Sequence, residues 1–211
     1  MANEKIAVIY YSATGTTYKL ARAIEEGAQA AGAEVRFRKA KELAPEEAIK
    51  SNEGWAAHRL ETQDVEEATN NDLEWADAII MGTPTRYGLP AAQLKQFIDG
   101  TGGLWAKGAL NDKVFSAFTS VATLHGGHES TILSIYNIAY SWGCIIVAPA
   151  YADPIQFQSG TPYGTSFVSN NGALSPDETA LAAARFQGER VVRITRDLLA
   201  GRRSDDKNKT E

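Results

Sequence analysis

Short apolar runs divide the chain at regular intervals. Four of them are almost uninterrupted: residues 6–11 (IAVIYY), 78–82 (AIIMG), 114–118 (VFSAF) and 144–148 (CIIVA). Strands of parallel sheets show such runs because helices cover both of their faces. A fifth segment, residues 34–39 (EVRFRK), alternates apolar and charged side chains, so we expect it to be half-exposed at a sheet edge. The pattern therefore predicts five strands.

Helical periodicity fills the intervals between these runs. Ile24 and Ala28 share one face of the helix that follows the first run, and Pro90 is predicted to open the helix before the fourth strand. Ser175 is predicted to be the N-cap of the last helix, with Pro176 at its first position. Strands that alternate with helices form a parallel sheet with helices on both faces, so the pattern predicts an α/β fold.

We interpret residues 1–200 as a single domain. Residues 41–74 are long, polar and acidic, and we interpret them as an insert beside the edge strand. Residues 151–173 are rich in Gly, Pro, Ser and Asn, and loops of that length are usually functional or disordered. Residues 201–211 form a polar tail that we expect to be frayed.

Composition and charge argue against several classes of function. The 211 residues are 44% hydrophobic, and 21 basic against 26 acidic side chains give a net charge of −5, which disfavours a nucleic-acid partner. No apolar run reaches the ~20 residues that span a bilayer. The single cysteine, Cys144, excludes an intramolecular disulfide, and its apolar surroundings favour a core thiol over a catalytic one. With no signal peptide evident, we expect a cytoplasmic protein.

The loop after the first strand suggests a phosphate site. Ligands of open parallel sheets bind beyond the carboxyl ends of the strands. Residues 12–17 (SATGTT) there offer hydroxyl groups, one glycine and the N-terminus of a helix, whose N–H groups and dipole attract an anion. The loop lacks the lysine that P-loops use for triphosphates, so it favours a phosphate monoester. An ordinary capped helix start remains the alternative.

Two further loops follow the third and fourth predicted strands. We interpret residues 83–85 as a stiff turn that projects Arg86 and Tyr87, although an exposed loop with a stabilising arginine would have the same sequence. The glycines of residues 119–129 (TSVATLHGGHE) free backbone N–H groups for the edge of a heterocycle.

The histidines do not indicate a metal site. His125, His128 and Glu129 lack the spacing of known zinc motifs, and a further ligand is missing nearby, so we expect no bound metal. His58 lies in the polar insert, where we expect it to be solvated.

A glycine-rich loop at residues 99–110 (DGTGGLWAKGAL) carries Trp105. It follows a helix and lacks the third glycine of a dinucleotide fingerprint, so we reject that motif. The indole either lines the pocket of a flat ligand or closes the bottom of the core. Together with the three strand-end loops, it favours a slot for a flat ring with a phosphorylated tail, which fits flavin mononucleotide (FMN) more readily than ATP or NAD.

The same segments resemble a known family. YYSATGTT, GTPTRYG, DGTGGLWAKGAL, GTPYG and ARFQGERV look like the WrbA-type NAD(P)H:quinone oxidoreductases of the flavodoxin-like superfamily. The resemblance implies a five-stranded, doubly wound flavodoxin-like sheet with strand order 2-1-3-4-5. It also implies one FMN per subunit, a homotetramer, and two-electron reduction of quinones by NADH or NADPH in a ping-pong order. The family's older name implies binding to a repressor protein, but these residues give that role no support.

The resemblance also implies which residues form the site. The flavin itself does the chemistry at its N5 atom, so no catalytic side chain is expected, and Trp105 and Thr14 would border the substrate pocket, with Trp105 reaching toward a neighbouring subunit. The residues that would bind FMN lie in the three strand-end loops. They are Ser12, Ala13, Thr14, Gly15, Thr16, Thr17, Pro84, Thr85, Arg86, Tyr87, Gly88, Ser120, Val121, Ala122, Thr123, Gly126 and Gly127.

Several residues depart from the family pattern. Thr14 and Thr16 stand where the family has a tyrosine and a histidine. Ser141 stands where relatives have a histidine that touches FMN, and we hypothesise that His125 takes over this contact. The main alternative function is a one-electron flavodoxin-like carrier that docks to protein partners. A phospho-receiver domain is disfavoured because Met81 stands near the end of strand three, where an aspartate is needed.

Overall fold

The computed structural model describes residues 3–208. Its strands are β1 (Lys5–Tyr10), β2 (Glu34–Lys39), β3 (Ala78–Arg86), β4 (Leu89–Pro90), β5 (Val114–Val121), β6 (Ile145–Ile146) and β7 (Ser166–Val168). Five of them form a parallel sheet in the order β2-β1-β3-β5-β6. Because β5 and β6 are the fourth and fifth predicted strands, the predicted order 2-1-3-4-5 is confirmed.

Two short strands modify this sheet. The segment β4 pairs antiparallel with the end of β3 and makes a hairpin there. The outer edge of β5 is shared, because β6 pairs with Val114 and Phe115 whereas β7 pairs with its last three residues. The predicted strand at residues 144–148 is therefore only two residues long, and the chain between β6 and β7 leaves the sheet and returns to it.

Nine helices surround the sheet in the part of the chain that the structure describes. They are α1 (Thr16–Ala30), α2 (Glu46–Lys50), α3 (Glu53–Glu61), α4 (Asn70–Trp75), α5 (Ala92–Asp99), α6 (Gly102–Ala106), α7 (His128–Ser141), α8 (Pro154–Ser159) and α9 (Glu178–Asn208). Within residues 3–208, none of these helices combines the length and the apolarity that a bilayer crossing would need.

The core consists of two apolar layers, one on each face of the sheet. Along β1, Ile6 and Val8 point toward α1 and α9, whereas Ala7 and Ile9 point toward the layer of α5 and α7. This alternation is the two-residue period of a strand, and here both faces are apolar because helices cover both. Residues 41–74 contain α2, α3 and all of α4 except its last residue, beside β2.

Some predicted boundaries are wrong. Residues 83–85 continue β3 instead of making a turn, Pro90 lies in β4, and α5 begins at Ala92. The last helix begins at Glu178, where the carboxylate of Asp177 accepts the amide of Ala180 at 2.8 Å. The predicted cap, Ser175, instead accepts a hydrogen bond from Lys19.

The polar tail also differs from the expectation. The final helix α9 continues through Asn208, so residues 201–208 are helical instead of frayed. The remainder of the predicted tail, residues 209–211, lies outside the described residues.

Candidate functional site

The loops at the carboxyl ends of β1, β3 and β5 surround one cavity of about 670 Å³. This volume lies within the range of small-molecule and cofactor sites. The residues that line it come from the three predicted loops and from a fourth segment after β7. They are Ser12, Ala13, Thr14, Thr16, Thr17, Pro84, Thr85, Arg86, Tyr87, Ser120, Val121, Ala122, Thr123, Gly126, Ser169, Asn171 and Gly172.

The first loop leads from β1 into α1 through Gly15. Its φ of 97° is a left-handed conformation that favours glycine, and its amide donates to Ser12 Oγ at 3.1 Å. Within residues 3–208, no side chain caps the N-terminus of α1, and the first turn carries no acidic residue. The N–H groups of this turn therefore remain available to an anion beside the cavity.

Buried hydroxyl groups join the first loop to the third. Thr17 Oγ1 and Ser120 Oγ lie 2.8 Å apart, and both residues are buried. Because Thr17 belongs to α1 and Ser120 to β5, this contact sets the distance between the helix N-terminus and the third loop across the floor of the cavity.

The second loop is the hairpin between β3 and β4, and it forms the rim of the cavity. Thr83 Oγ1 accepts the amide of Ala91 at 2.9 Å and so closes the hairpin. Tyr87 has a φ of 54°, which is uncommon for a bulky residue, and its side chain is fully exposed. Arg86 is also exposed and donates to the carbonyl of Thr85. The hairpin therefore presents a flat ring and a positive charge to a ligand.

Glycines let the second and third loops approach each other. Gly127 has a φ of 95°, and a Cβ atom there would lie 2.8 Å from Gly88 Cα. A Cβ atom on Gly126 would lie 2.6 Å from Val121 Cγ2. Thr85 Oγ1 donates to the carbonyl of Gly127 at 3.3 Å. Gly15, Gly88 and Gly127 thus shape the loops without lining the cavity themselves.

The fourth segment was missed by the sequence analysis. Ser169 donates to the carbonyl of Val121 through its amide at 2.8 Å and through its hydroxyl at 3.2 Å, and the amide of Asn171 reaches the carbonyl of Ala122. Asn170 and Asn171 both have positive φ, as turn asparagines often do. The Asn-Asn-Gly sequence marks this turn, but nothing in the sequence indicates that it would meet the third loop.

Trp105 lies outside this cavity. It belongs to α6, is 59% exposed, and its Nε1 donates to the carbonyl of Ser141 at 3.0 Å. The alternative that it closes the core is therefore wrong. Within this chain its indole borders no part of the strand-end cavity, so a role in a substrate pocket requires a neighbouring subunit.

His58 is not solvated, contrary to the expectation. It is 5% exposed, because α3 packs its ring against Tyr18 of α1, with ring centroids 5.1 Å apart. Its Nδ1 lies 3.0 Å from Glu61 Oε2. Docking of the insert against α1 is a tertiary contact, and the polar sequence around His58 does not reveal it.

A second cavity, of about 620 Å³, lies behind the third loop. His125 and His128 line it together with residues of α8 and β7, and His128 Nδ1 lies 3.3 Å from Ser166 Oγ. This cavity does not include the ends of β1 and β3. We therefore place the candidate site in the strand-end cavity, which the ends of the three central strands share.

Cys144 has the environment of a structural thiol. Its Sγ donates to the carbonyl of Leu110, and burial raises the pKa of the thiol to about 12. A thiol with such a pKa is protonated at neutral pH and is a poor nucleophile, as the sequence analysis expected.

Sequence comparison identifies related proteins with similar sequences over most of their length. A family profile described as NADPH-dependent FMN reductase matches residues 5–157. A protein of Deinococcus radiodurans named NAD(P)H dehydrogenase (quinone) is 43% identical over 196 residues, which are 92% of this chain and 97% of the relative. A Sinorhizobium fredii protein of the same name is 46% identical over 200 residues, which are 92% of this chain and 98% of the relative.

Structural comparison agrees with these matches. The crystal structure of a flavodoxin, WrbA-like protein from Agrobacterium tumefaciens has a TM-score of 0.66 at 27% identity, covering 92% of this chain and 99% of that one. An archaeal flavodoxin, at 19% identity and a TM-score of 0.59, covers 91% of this chain and 99% of its own, and supports the fold alone. The predicted resemblance and the flavodoxin-like fold are confirmed.

Proposed function

Because the chain belongs to the NADPH-dependent FMN reductase family, we propose that it catalyses the FMN-dependent reduction of quinones by NADH or NADPH. Relatives at 43% and 46% identity carry the name NAD(P)H dehydrogenase (quinone). The observation that supports the proposal most strongly is the convergence of three strand-end loops on one cavity of about 670 Å³. The overall reaction converts a quinone, NAD(P)H and a proton into a hydroquinone and NAD(P)⁺.

The residues of the cavity fit FMN. A cofactor with a single phosphate matches the first loop, where the uncapped start of α1 and neutral hydroxyl groups would bind the phosphate without a lysine or arginine in residues 12–17. Tyr87 and the hairpin around it offer a flat surface to the isoalloxazine, and the third loop would offer backbone N–H groups other than that of Gly126, which already donates to the carbonyl of Thr123. When bound, the flavin supplies hydride acceptance and donation.

This chain's own residues then orient and exchange the substrates. Arg86 and Tyr87 lie at the open rim, where they would guide the nucleotide and afterwards the quinone toward the same surface. One cavity has to receive both substrates, so we propose a ping-pong order in which the oxidised nucleotide leaves before the quinone enters. Backbone N–H groups of the third loop would stabilise negative charge on the reduced ring.

The assembly belongs to the same proposal. We place Trp105 and Thr14 at the substrate pocket of a homotetramer, in which the exposed indole would reach the site of a neighbouring chain. Cytoplasmic location and the absence of nucleic-acid partners remain predictions from the sequence.

Anaerobic spectroscopy tests the proposed function. Apoprotein should take up one FMN per chain, NADH or NADPH should bleach the flavin in a single two-electron step, and benzoquinone should restore its colour. No uptake of FMN by folded protein would refute the proposal. A stable one-electron-reduced flavin at half reduction, with slow reoxidation by benzoquinone, would instead favour the electron-carrier alternative.

Gly127→Ala tests whether the strand-end cavity is the site. The new Cβ would lie 2.8 Å from Gly88 Cα and separate the second and third loops, so we expect at least about a tenfold loss of FMN affinity. Gly160→Ala is the matched control, because Gly160 also has positive φ, 71°, but has open space around its Cα. Equal FMN affinities for the two variants would argue against this location.

A further inference from the structure

The insert helix α3 lies against the outer side of the first loop. A Cβ atom on Gly15 would lie 3.5 Å from His58 Nδ1, and one on Gly54 would lie 3.9 Å from Thr14 Cγ2. Because Gly54 is near the start of α3 and His58 is one turn further along, the helix lies beside both Thr14 and Gly15; Gly15 is buried there, whereas Thr14 stays exposed. These two residues form the tip of the loop that we assign to the FMN phosphate.

His58 is held firmly at this contact. Its ring packs on Tyr18, which lies in the first turn of α1, and its Nδ1 is hydrogen-bonded to Glu61. The carbonyl of His58 accepts both the amide and the hydroxyl of Thr62. The imidazole therefore occupies one position between α3, Gly15 and the first turn of α1.

Glu42 attaches α3 to the rest of the site. Its carboxylate accepts Trp55 Nε1 of α3 at 3.1 Å, Tyr11 Oη at 3.0 Å and Gln93 Nε2 of α5 at 2.8 Å. It also accepts the amides of the two residues that follow it in the chain. Tyr11 immediately precedes the first loop, so this one carboxylate joins the insert, the base of that loop and α5.

We propose that α3 is part of the cofactor site, and that Glu42 and His58 are positioning residues that hold the first loop in the shape that binds the flavin phosphate. The inference rests on the proposed function and extends it to a segment outside the cavity. A loop without lysine or arginine attracts a phosphate through the direction of its N–H groups, so its affinity depends on preorganisation. Gly15 gives that loop little stiffness of its own.

Two consequences separate this role from general stabilisation. Weakening the contact should reduce affinity for FMN but leave affinity for riboflavin, which lacks the phosphate, almost unchanged. Binding free energies are also reciprocal, so whatever α3 contributes to FMN binding, FMN contributes to the docking of α3. FMN, unlike riboflavin, should therefore protect the amides of α3 from hydrogen exchange.

The experiment measures FMN and riboflavin dissociation constants by flavin fluorescence for apoprotein carrying Glu42→Gln, His58→Ala or Trp55→Phe. Trp55→Phe keeps an aromatic ring but removes the donor to Glu42. We expect FMN to bind about tenfold more weakly to the first two variants and about threefold more weakly to Trp55→Phe. Riboflavin affinity should change less than about twofold. Leu60→Ala is the control, because Leu60 lies on α3 and is 67% exposed.

The outcomes are distinguishable. Unchanged FMN affinity in the variants, or equal losses of affinity for FMN and for riboflavin, would overturn the inference. The proposed function would stay intact in that case, provided that the unaltered protein takes up FMN. If His58→Ala does not fold, Trp55→Phe and hydrogen exchange of the unaltered protein decide: equal protection of α3 by both flavins would overturn the inference. A lack of FMN uptake by the unaltered protein would overturn both.

Discussion

Two helices flank the first loop, and they pack on their surroundings in different ways. The helix α1 pairs with α9, and in the second half of α1 the two backbones touch: a Cβ atom on Gly188 would lie 2.1 Å from the carbonyl oxygen of Ile24, and one on Gly27 would lie 2.0 Å from that of Arg185. On the other side, α3 borders a cavity of about 280 Å³ near the end of β1.

Two polar groups on the α3 side differ in whether they are hydrogen-bonded. Beside the α3 cavity, Tyr10 Oη is buried and has no hydrogen-bond partner among the described residues, whereas Tyr11 Oη next to it donates to Glu42. Close packing leaves α1 and α9 no space to shift against each other. The contact of α3, in contrast, depends on a few hydrogen bonds beside a cavity. The comparison indicates that close packing of α1 supports the base of the first loop, whereas a few specific polar and ring contacts of α3 hold its outer side.

The largest expected effect comes from the α1–α9 pair. In Gly188→Ala the new methyl group would meet the backbone of Ile24, which cannot move aside as a flexible side chain could. We expect the free energy of unfolding to fall by about 3 kcal/mol in urea denaturation. Gly201→Ala in the same helix is the control, since open space surrounds Gly201, and it should gain about 0.5 to 1 kcal/mol. Similar effects of both changes would contradict close packing of α1 on α9.

Glu42→Gln should have an intermediate effect that depends on pH. Burial alone would raise the pKa of Glu42, but the Ala44 amide, Gln93, Tyr11 and the Leu43 amide donate to the carboxylate and together lower it. A lowered pKa means that the ionised carboxylate stabilises the fold above the pKa of an unfolded glutamate, about 4.3. This contribution disappears as the pH falls through the lower pKa of the folded state.

The variant should therefore lose about 2 kcal/mol of unfolding free energy at pH 7. The difference from the unaltered protein should shrink as the pH falls from about 4.3 through the lowered folded-state pKa of Glu42, below which both side chains are neutral. Urea denaturation at a series of pH values measures this difference. A gap that stays constant or widens in acid would show that the charge of Glu42 does not stabilise the fold.

The smallest effect, with the opposite sign, is expected for Tyr10→Phe. Removing a buried hydroxyl without a partner relieves its desolvation cost, so the free energy of unfolding should rise by about 1 kcal/mol. Tyr11→Phe is the matched control and should be destabilising, because it removes a hydrogen bond to Glu42. Destabilisation by Tyr10→Phe would indicate that the hydroxyl is satisfied by water in the neighbouring cavity.

The pattern of apolar residues predicted the sheet, because the faces that a strand buries carry its own apolar side chains. Three of the four uninterrupted runs became β1, β3 and β5, the fourth gave only the two-residue β6, and the alternating run became the edge strand β2. Strand ends were less predictable. Pro84 indicates a turn locally, yet β3 continues because Thr83 and Pro84 pair with Thr119 and Ser120 of β5.

The candidate site was predictable to a similar degree. The three strand-end loops follow directly from the order of strands, and residues from all of them line the cavity. Ser169 and Asn171 were missed because they reach the site through contacts with Val121 and Ala122, far away in the chain. His58 was misjudged because its burial depends on where α3 docks.

The sequence by itself determined the fold class, the sheet order implied by its family resemblance, and the chemical character of the first three loops, since these depend on local residue patterns. Only the tertiary structure decided that α3 lies against the first loop, that residues after β7 complete the cavity, and that Trp105 lies outside it. The physical reason is that such contacts join segments distant in the chain, and their energy comes from complementary surfaces that no single segment contains.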